Sequence, residues 1–142
     1  MRNKPGGLAK FTEYLVLDVK LKGHDKLRIC TVYRSPSSSG ENNQMLNGFL
    51  RRLNEHETSH ILVLGDFNYP AINWSTNTML TNGTPDQTRF LDTINDNLWF
   101  QHVTQPTRER SGSNPTILDL VITNQEEMDN VTVQPQMLLI QG

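Results

Sequence analysis

Cysteine is nearly absent from this chain. Cys30 is the only one in 142 residues, so an intrachain disulfide cannot form and no zinc site can be built on paired thiolates. Long apolar runs are missing as well, and no segment approaches the roughly 20 residues of a membrane span. The first residues, Met1-Arg2-Asn3-Lys4-Pro5-Gly6-Gly7, lack the apolar stretch of a secretory leader. The expected location is therefore intracellular, and the Asn-x-Ser/Thr triplets at Asn73, Asn82 and Asn130 read as chance in an Asn- and Thr-rich chain. Charge of one sign is also scarce. A net charge of -2 gives no global attraction to nucleic acid, so any phosphate contact must come from local arginine and lysine clusters. With 35% hydrophobic residues and a mean hydropathy of -0.53, the chain can build one lean core. Its length suits one domain.

The patterning supplies what composition does not. From Glu13 to Lys22, Leu15, Leu17, Val19 and Leu21 share one face, with Asp18, Lys20 and Lys22 among the others, which predicts a half-buried strand. Gly23-His24-Asp25 is a turn, and Leu27 to Tyr33 is the expected hairpin partner. Leu46, Phe49, Leu50 and Leu53 fall on one face of a helix. Ile61-Leu62-Val63-Leu64, ended by Gly65, suits a strand covered on both sides. Tyr69 to Gly83 reads as loop. Thr84-Pro85 then supplies the cap and first-turn proline of a second helix, with Phe90, Leu91 and Ile94 facing inward. Trp99-Phe100 opens a short strand, Thr104 to Thr116 is a long polar loop, and Ile117 to Ile122 is the last clear strand. The order β-β-α-β-α-β-β predicts a layered α/β (or α+β) arrangement with a sheet core.

Chemistry concentrates in a few segments. In Leu64-Gly65-Asp66-Phe67-Asn68 a buried strand ends and at once presents a carboxylate and a carboxamide. Asp66 is placed to take a proton from water, and Asn68 to orient that water or donate to a phosphate oxygen. The same residues are turn formers, so a plain turn also explains them. Asp119 sits in an otherwise apolar strand, where burial is costly without a partner. It would orient a histidine or cap a backbone group near a strand edge, and both readings stand.

Tyr33-Arg34-Ser35-Pro36, Gly65-Asp66-Phe67-Asn68, Pro106-Thr107-Arg108 and Leu118-Asp119-Leu120-Val121-Ile122-Thr123-Asn124 occur in this order and at this spacing. Together they resemble the endonuclease domain of non-LTR retrotransposons, particularly CR1-like elements. That domain belongs to the metal-dependent endonuclease/exonuclease/phosphatase superfamily, whose fold is a four-layer α/β sandwich. The resemblance runs from about Glu13 to Asn130. It divides the chain into a lead (1–12), a partial domain (13–130) and a divergent tail (131–142).

The resemblance implies a role for each matching residue. Asp66 would be the base that activates water, Asn68 would hold that water or the phosphate, and Tyr33 would face the phosphate and leaving group. Asp119 would steady a catalytic histidine, and Thr107 and Arg108 would line the DNA-facing rim. Mg²⁺ is the implied cofactor and DNA the implied partner, with the nucleus as the place of action. Neither Asn3 nor Glu13 sits in a counterpart of the family's asparagine and metal-binding glutamate motifs. The Ser-Asp-His motif is also missing, and no histidine follows His102. On this resemblance the chain reads as truncated at both ends, with no metal ligand recognisable in it. The resulting expectation is a DNA endonuclease domain with weak or no turnover. The alternative is a non-catalytic fragment that acts at most as a binding module. A half-sandwich would expose sheet able to associate with a partner. The apolar run Met137 to Ile140 is either a strand completing the sheet or sequence unrelated to the domain.

Overall fold

The computed structural model describes residues 10–55, 59–108 and 115–127, together with the backbone of 131–134 and 137–140. The elements are β1 (Tyr14–Lys20), β2 (Lys26–Tyr33), α1 (Gly40–Glu55), β3 (His60–Asp66), β4 (Ile72–Asn73), β5 (Thr78–Met79), α2 (Pro85–Asp96), β6 (Phe100–Gln101), β7 (Asp119–Thr123), β8 (Val131–Gln134) and β9 (Met137–Ile140). Five strands form one mixed sheet in the order β1-β2-β3-β7-β6. The β1–β2 hairpin is antiparallel, and its Gly23 takes the positive φ that the turn needs. Strand β2 then runs parallel to β3 through α1, the crossover that parallel neighbours require.

Both helices form where their side-chain spacing allows. Ser39 Oγ accepts from the Asn42 amide at 3.1 Å and caps the start of α1. Thr84, in extended backbone, caps α2 with Pro85 in its first turn. Their apolar faces, including Leu46, Phe49, Leu50, Phe90 and Ile94, pack with Cys30, Val32, Ile61, Val63, Leu120 and Ile122 of the sheet. Strand side chains alternate between faces, so the neighbouring positions in sequence point the other way. On that second face Leu62 and Val121 are buried with Val103, and Leu27, Ile29, Leu64 and Ile117 pack against them.

The structure departs from the sequence pattern in two places. Strand β1 alternates as expected but is not half-buried. Leu15 is 77% and Leu17 60% exposed, because they extend the second face beyond Val103 and Ile117, which pack on its far end. Their register opposite Thr31 and Ile29 fixes them on that open face. The stretch 69–83 is not simple loop either. Tyr69, Ala71 and Ile72 are buried, and β4 and β5 pair as a small hairpin against α2. Its aromatic residues surround Phe90, with ring centroids 4.8 Å away for Tyr69 and 6.4 Å for Trp74. The expectation that 61–64 is covered on both sides holds: Ile61, Leu62 and Val63 are all buried. In the tail, β8 and β9 pair with each other as a separate antiparallel pair and do not extend the five-stranded sheet. Residues 1–9, most of the expected lead, and His56 lie outside the described residues.

Candidate active site

Strand pairing builds the site. In the parallel β2–β3 register Tyr33 is the partner of Asp66. In the antiparallel β3–β7 register Asp66 is the partner of Asp119. Residues paired across strands share a face, so Tyr33, Asp66 and Asp119 form one row across three strands. The row lies on the face opposite the helices, at the C-terminal ends of β2 and β3 and the start of β7.

The backbone beside Asp66 has little tolerance. A Cβ on Gly65 would collide with the backbone of Val32, so close strand approach requires glycine here. Beyond Asp66 the chain turns sharply. Asp66 Oδ1 accepts from the Asn68 amide at 3.2 Å, and Asn68 has φ 51, in the left-handed region that asparagine tolerates better than most residues. Asn68 Nδ2 donates to the Arg34 carbonyl at 2.6 Å, which leaves its carbonyl oxygen and second amide hydrogen for other partners. The turn that Gly, Asp and Asn favour is therefore present, and it is the device that presents the carboxylate.

Asp66 Oδ2 accepts from Arg108 at 2.6 Å, with 15% of the Asp66 side chain exposed. Arg108 is held near it by a short antiparallel bridge with Thr116, just ahead of β7. Thr107 serves the backbone: its hydroxyl accepts from the amides of Leu118 and Asp119 at 2.9 and 3.0 Å, fixing where β7 begins. Tyr33 is half exposed on the row. Beside these segments runs a cleft of about 300 Å³, lined by Ile72, Trp74, Val103, Pro106, Thr116 and Ile117 among others.

The Asp66 carboxyl is held above its ordinary value. Burial is the main cause and the neighbouring Asp119 charge the second, opposed by Arg108 and the hydrogen bonds from Asn68. A carboxylate raised in this way is a stronger base for water than a solvated one. Cys30 is no rival nucleophile, since burial pushes its thiol up to about 12. Among the described residues no histidine lies within hydrogen-bond reach of Asp119. His102 instead meets Thr123 Oγ1 at 2.6 Å, with burial lowering its pKa, and His60 lies 3.7 Å from Asp25.

Among the described residues no three His, Cys, Asp or Glu side chains come together as a metal-binding group. A divalent cation at Asp66 would have to displace the Arg108 guanidinium from Oδ2, so the residues present do not fit Mg²⁺ as they stand. The arrangement supports proton transfer at Asp66 and anion contact through Arg108 and the Asn68 amide.

Arg34 falls within the Tyr33-Arg34-Ser35-Pro36 segment, but the sequence pattern assigns it no role. It is only 6% exposed, and its guanidinium lies 3.8 Å above the Tyr69 ring. No sequence signal distinguishes an arginine buried under a turn from one in a solvated loop.

None of the curated proteins matches the chain. Among solved structures, it is similar to the endonuclease domain of TRAS1, a telomere-specific non-LTR retrotransposon, with a TM-score of 0.62 at 12% identity. That likeness covers 90% of this chain and 59% of that one, so the chain spans less than two thirds of the domain it matches. It is also similar to an endonuclease/exonuclease/phosphatase family protein from Leptotrichia buccalis, with a TM-score of 0.48 at 17% identity, covering 80% of this chain and 41% of that one. The five-stranded mixed sheet with two helices is an α/β fold similar to the endonuclease/exonuclease/phosphatase fold. A family model described as endonuclease-reverse transcriptase matches residues 27–138. That match runs from β2 through the row of Tyr33, Asp66 and Asp119, and the chain belongs to the endonuclease-reverse transcriptase family.

Proposed function

We propose that this nuclease domain carries the water-activating part of a DNA phosphodiesterase site of retrotransposon origin whose metal-binding part is not among the described residues, and that the chain by itself turns over weakly or not at all. The observation that carries this reading is the row: Asp66, raised in pKa by burial and by Asp119, beside an exposed tyrosine at the end of a sheet. Asp66 takes the proton from the attacking water, Asn68 and Arg108 hold the phosphate side, and Tyr33 faces the leaving oxygen. Asp119 has no imidazole partner among the described residues, so no histidine among them delivers a proton to the leaving group. General acid-base assistance is worth about 10²- to 10⁴-fold, enough for its partial loss to leave little turnover. DNA in the nucleus would be the substrate.

One observation favours the non-catalytic alternative. Arg108 already neutralises Asp66 at 2.6 Å, which suits a site that binds phosphate without cleaving it. The exposed Leu15 and Leu17 face would then serve as a surface for association. A supercoiled-plasmid nicking assay with Mg²⁺, run beside Asp66→Ala, separates the two. The expected result is slow nicking or none in the parent chain and none in the variant. Vigorous nicking that vanishes in Asp66→Ala would sink the non-catalytic reading, and nicking that survives it would remove Asp66 as the base.

A further inference from the structure

We propose that Arg34 is a positioning residue that sets the Asp66–Asn68 turn, through a buried guanidinium that grips the backbone on both sides of Asn68. The inference rests on the nuclease reading only for its kinetic consequence. Arg34 Nη1 donates to the carbonyls of Phe67 at 3.0 Å and Asn68 at 3.1 Å. Its Nε donates to Asn43 Oδ1 at 2.8 Å. Its backbone amide donates to the Asp66 carbonyl at 2.8 Å, and its own carbonyl accepts from the Asn68 side chain at 2.6 Å. One residue therefore contacts 66, 67 and 68 and lies over the ring of 69.

Arg34 makes no direct ion pair with a carboxylate among the described residues. The nearest one reached through its bonds is Asp86, which accepts from Asn43 Nδ2 at 2.9 Å. A buried cation neutralised by carbonyl dipoles and a π face is costly unless every donor is aimed. Here Nη1 is aimed at the turn and Nε at Asn43 in α1. A non-glycine residue at positive φ persists only where its surroundings over-determine it. Asn68 at φ 51 is held through its amide, its side chain and its carbonyl. Through Asn43 in α1 and Asp86 in α2 the same network ties the turn to the starts of both helices. A lysine would keep the charge but cannot reach Nε's partner and the two carbonyls with one fork.

The test uses the full chain with Arg34→Lys, Arg34→Met and Asn43→Ala, each checked for folding by near-ultraviolet circular dichroism. Hydrogen exchange of the Asn68 side-chain amide, followed by NMR, is expected to become about tenfold faster in Arg34→Lys, the protection of roughly one hydrogen bond. Asn43→Ala should move it in the same direction by less. Any measurable nicking should fall about 10²-fold in kcat, because a turn displaced by an ångström misaligns the base, and KM should rise as well where Asn68 holds the phosphate. If Arg34→Met does not fold, Arg34→Lys and Asn43→Ala still carry the measurement. Unaltered Asn68 exchange in folded Arg34→Lys overturns the proposal. The exchange readout needs no turnover, so a failure of the nuclease reading is distinguishable from a failure of this one.

Discussion

Gly65→Ala is expected to abolish the native fold or to destabilise it by at least about 3 kcal/mol, the upper range for forcing atoms into a packed interior. The added methyl would meet the carbonyl oxygen and carbon of Val32. These are main-chain atoms of the neighbouring strand, so no side-chain rotation relieves the clash. The only response is to push β2 and β3 apart at the registers Val32–Gly65 and Tyr33–Asp66. That movement breaks the ladder at the row of the candidate site. Chemical denaturation followed by circular dichroism checks it, and an alanine variant of parental stability would show that the strands are not as close as described.

The second large effect is expected from Phe90→Ala, which should cost about 3–5 kcal/mol, as for other buried phenylalanines. Phe90 is fully buried, and its ring centroid lies 5.1 Å from that of Phe67 and 4.8 Å from that of Tyr69. Phe67 and Tyr69 flank Asn68, so the cavity opens directly beneath the turn that presents Asp66. Thermal unfolding should record the loss. A loss below about 1 kcal/mol, like that of a surface substitution, would mean the aromatic cluster is not packed as described.

These two positions also show what is legible in the sequence. The helices are, because Leu46–Leu53 and Phe90–Ile94 repeat at helical spacing and Thr84-Pro85 marks a start. Strand β3 is, because its apolar run is too short for a helix and ends at glycine. The segment after it misleads, since its many Asn and Thr residues read as loop while Tyr69, Ile72 and Trp74 decide its packing. In β1 the alternation identifies the strand but not its exposure: it records which residues share a face, not whether anything covers that face. The individual residues of the site are visible, but their alignment is not. Tyr33, Asp66 and Asp119 are separated by 33 and 53 positions, and only strand register brings them into one row. The role of Arg34 stays hidden because its Nη1 partners are backbone carbonyls, which carry no sequence signature, and its Nε partner Asn43 lies on a separate helix.

The proposed chemistry depends most on that row, and the most direct test is the titration of the Asp66 carboxyl, followed by ¹³C NMR in the parent chain and in Asp119→Asn. The native state holds the Asp66 proton to higher pH than the unfolded chain does. The group therefore subtracts stability above that window, and the penalty is relieved as pH falls through the raised value. Removing the Asp119 charge takes away the second-largest cause of the shift, so the Asp66 midpoint should move down in Asp119→Asn, and stability near neutral pH should suffer less from it. An Asp66 midpoint identical in the two proteins would mean that the carboxylates are not neighbours, and the site as described would not exist.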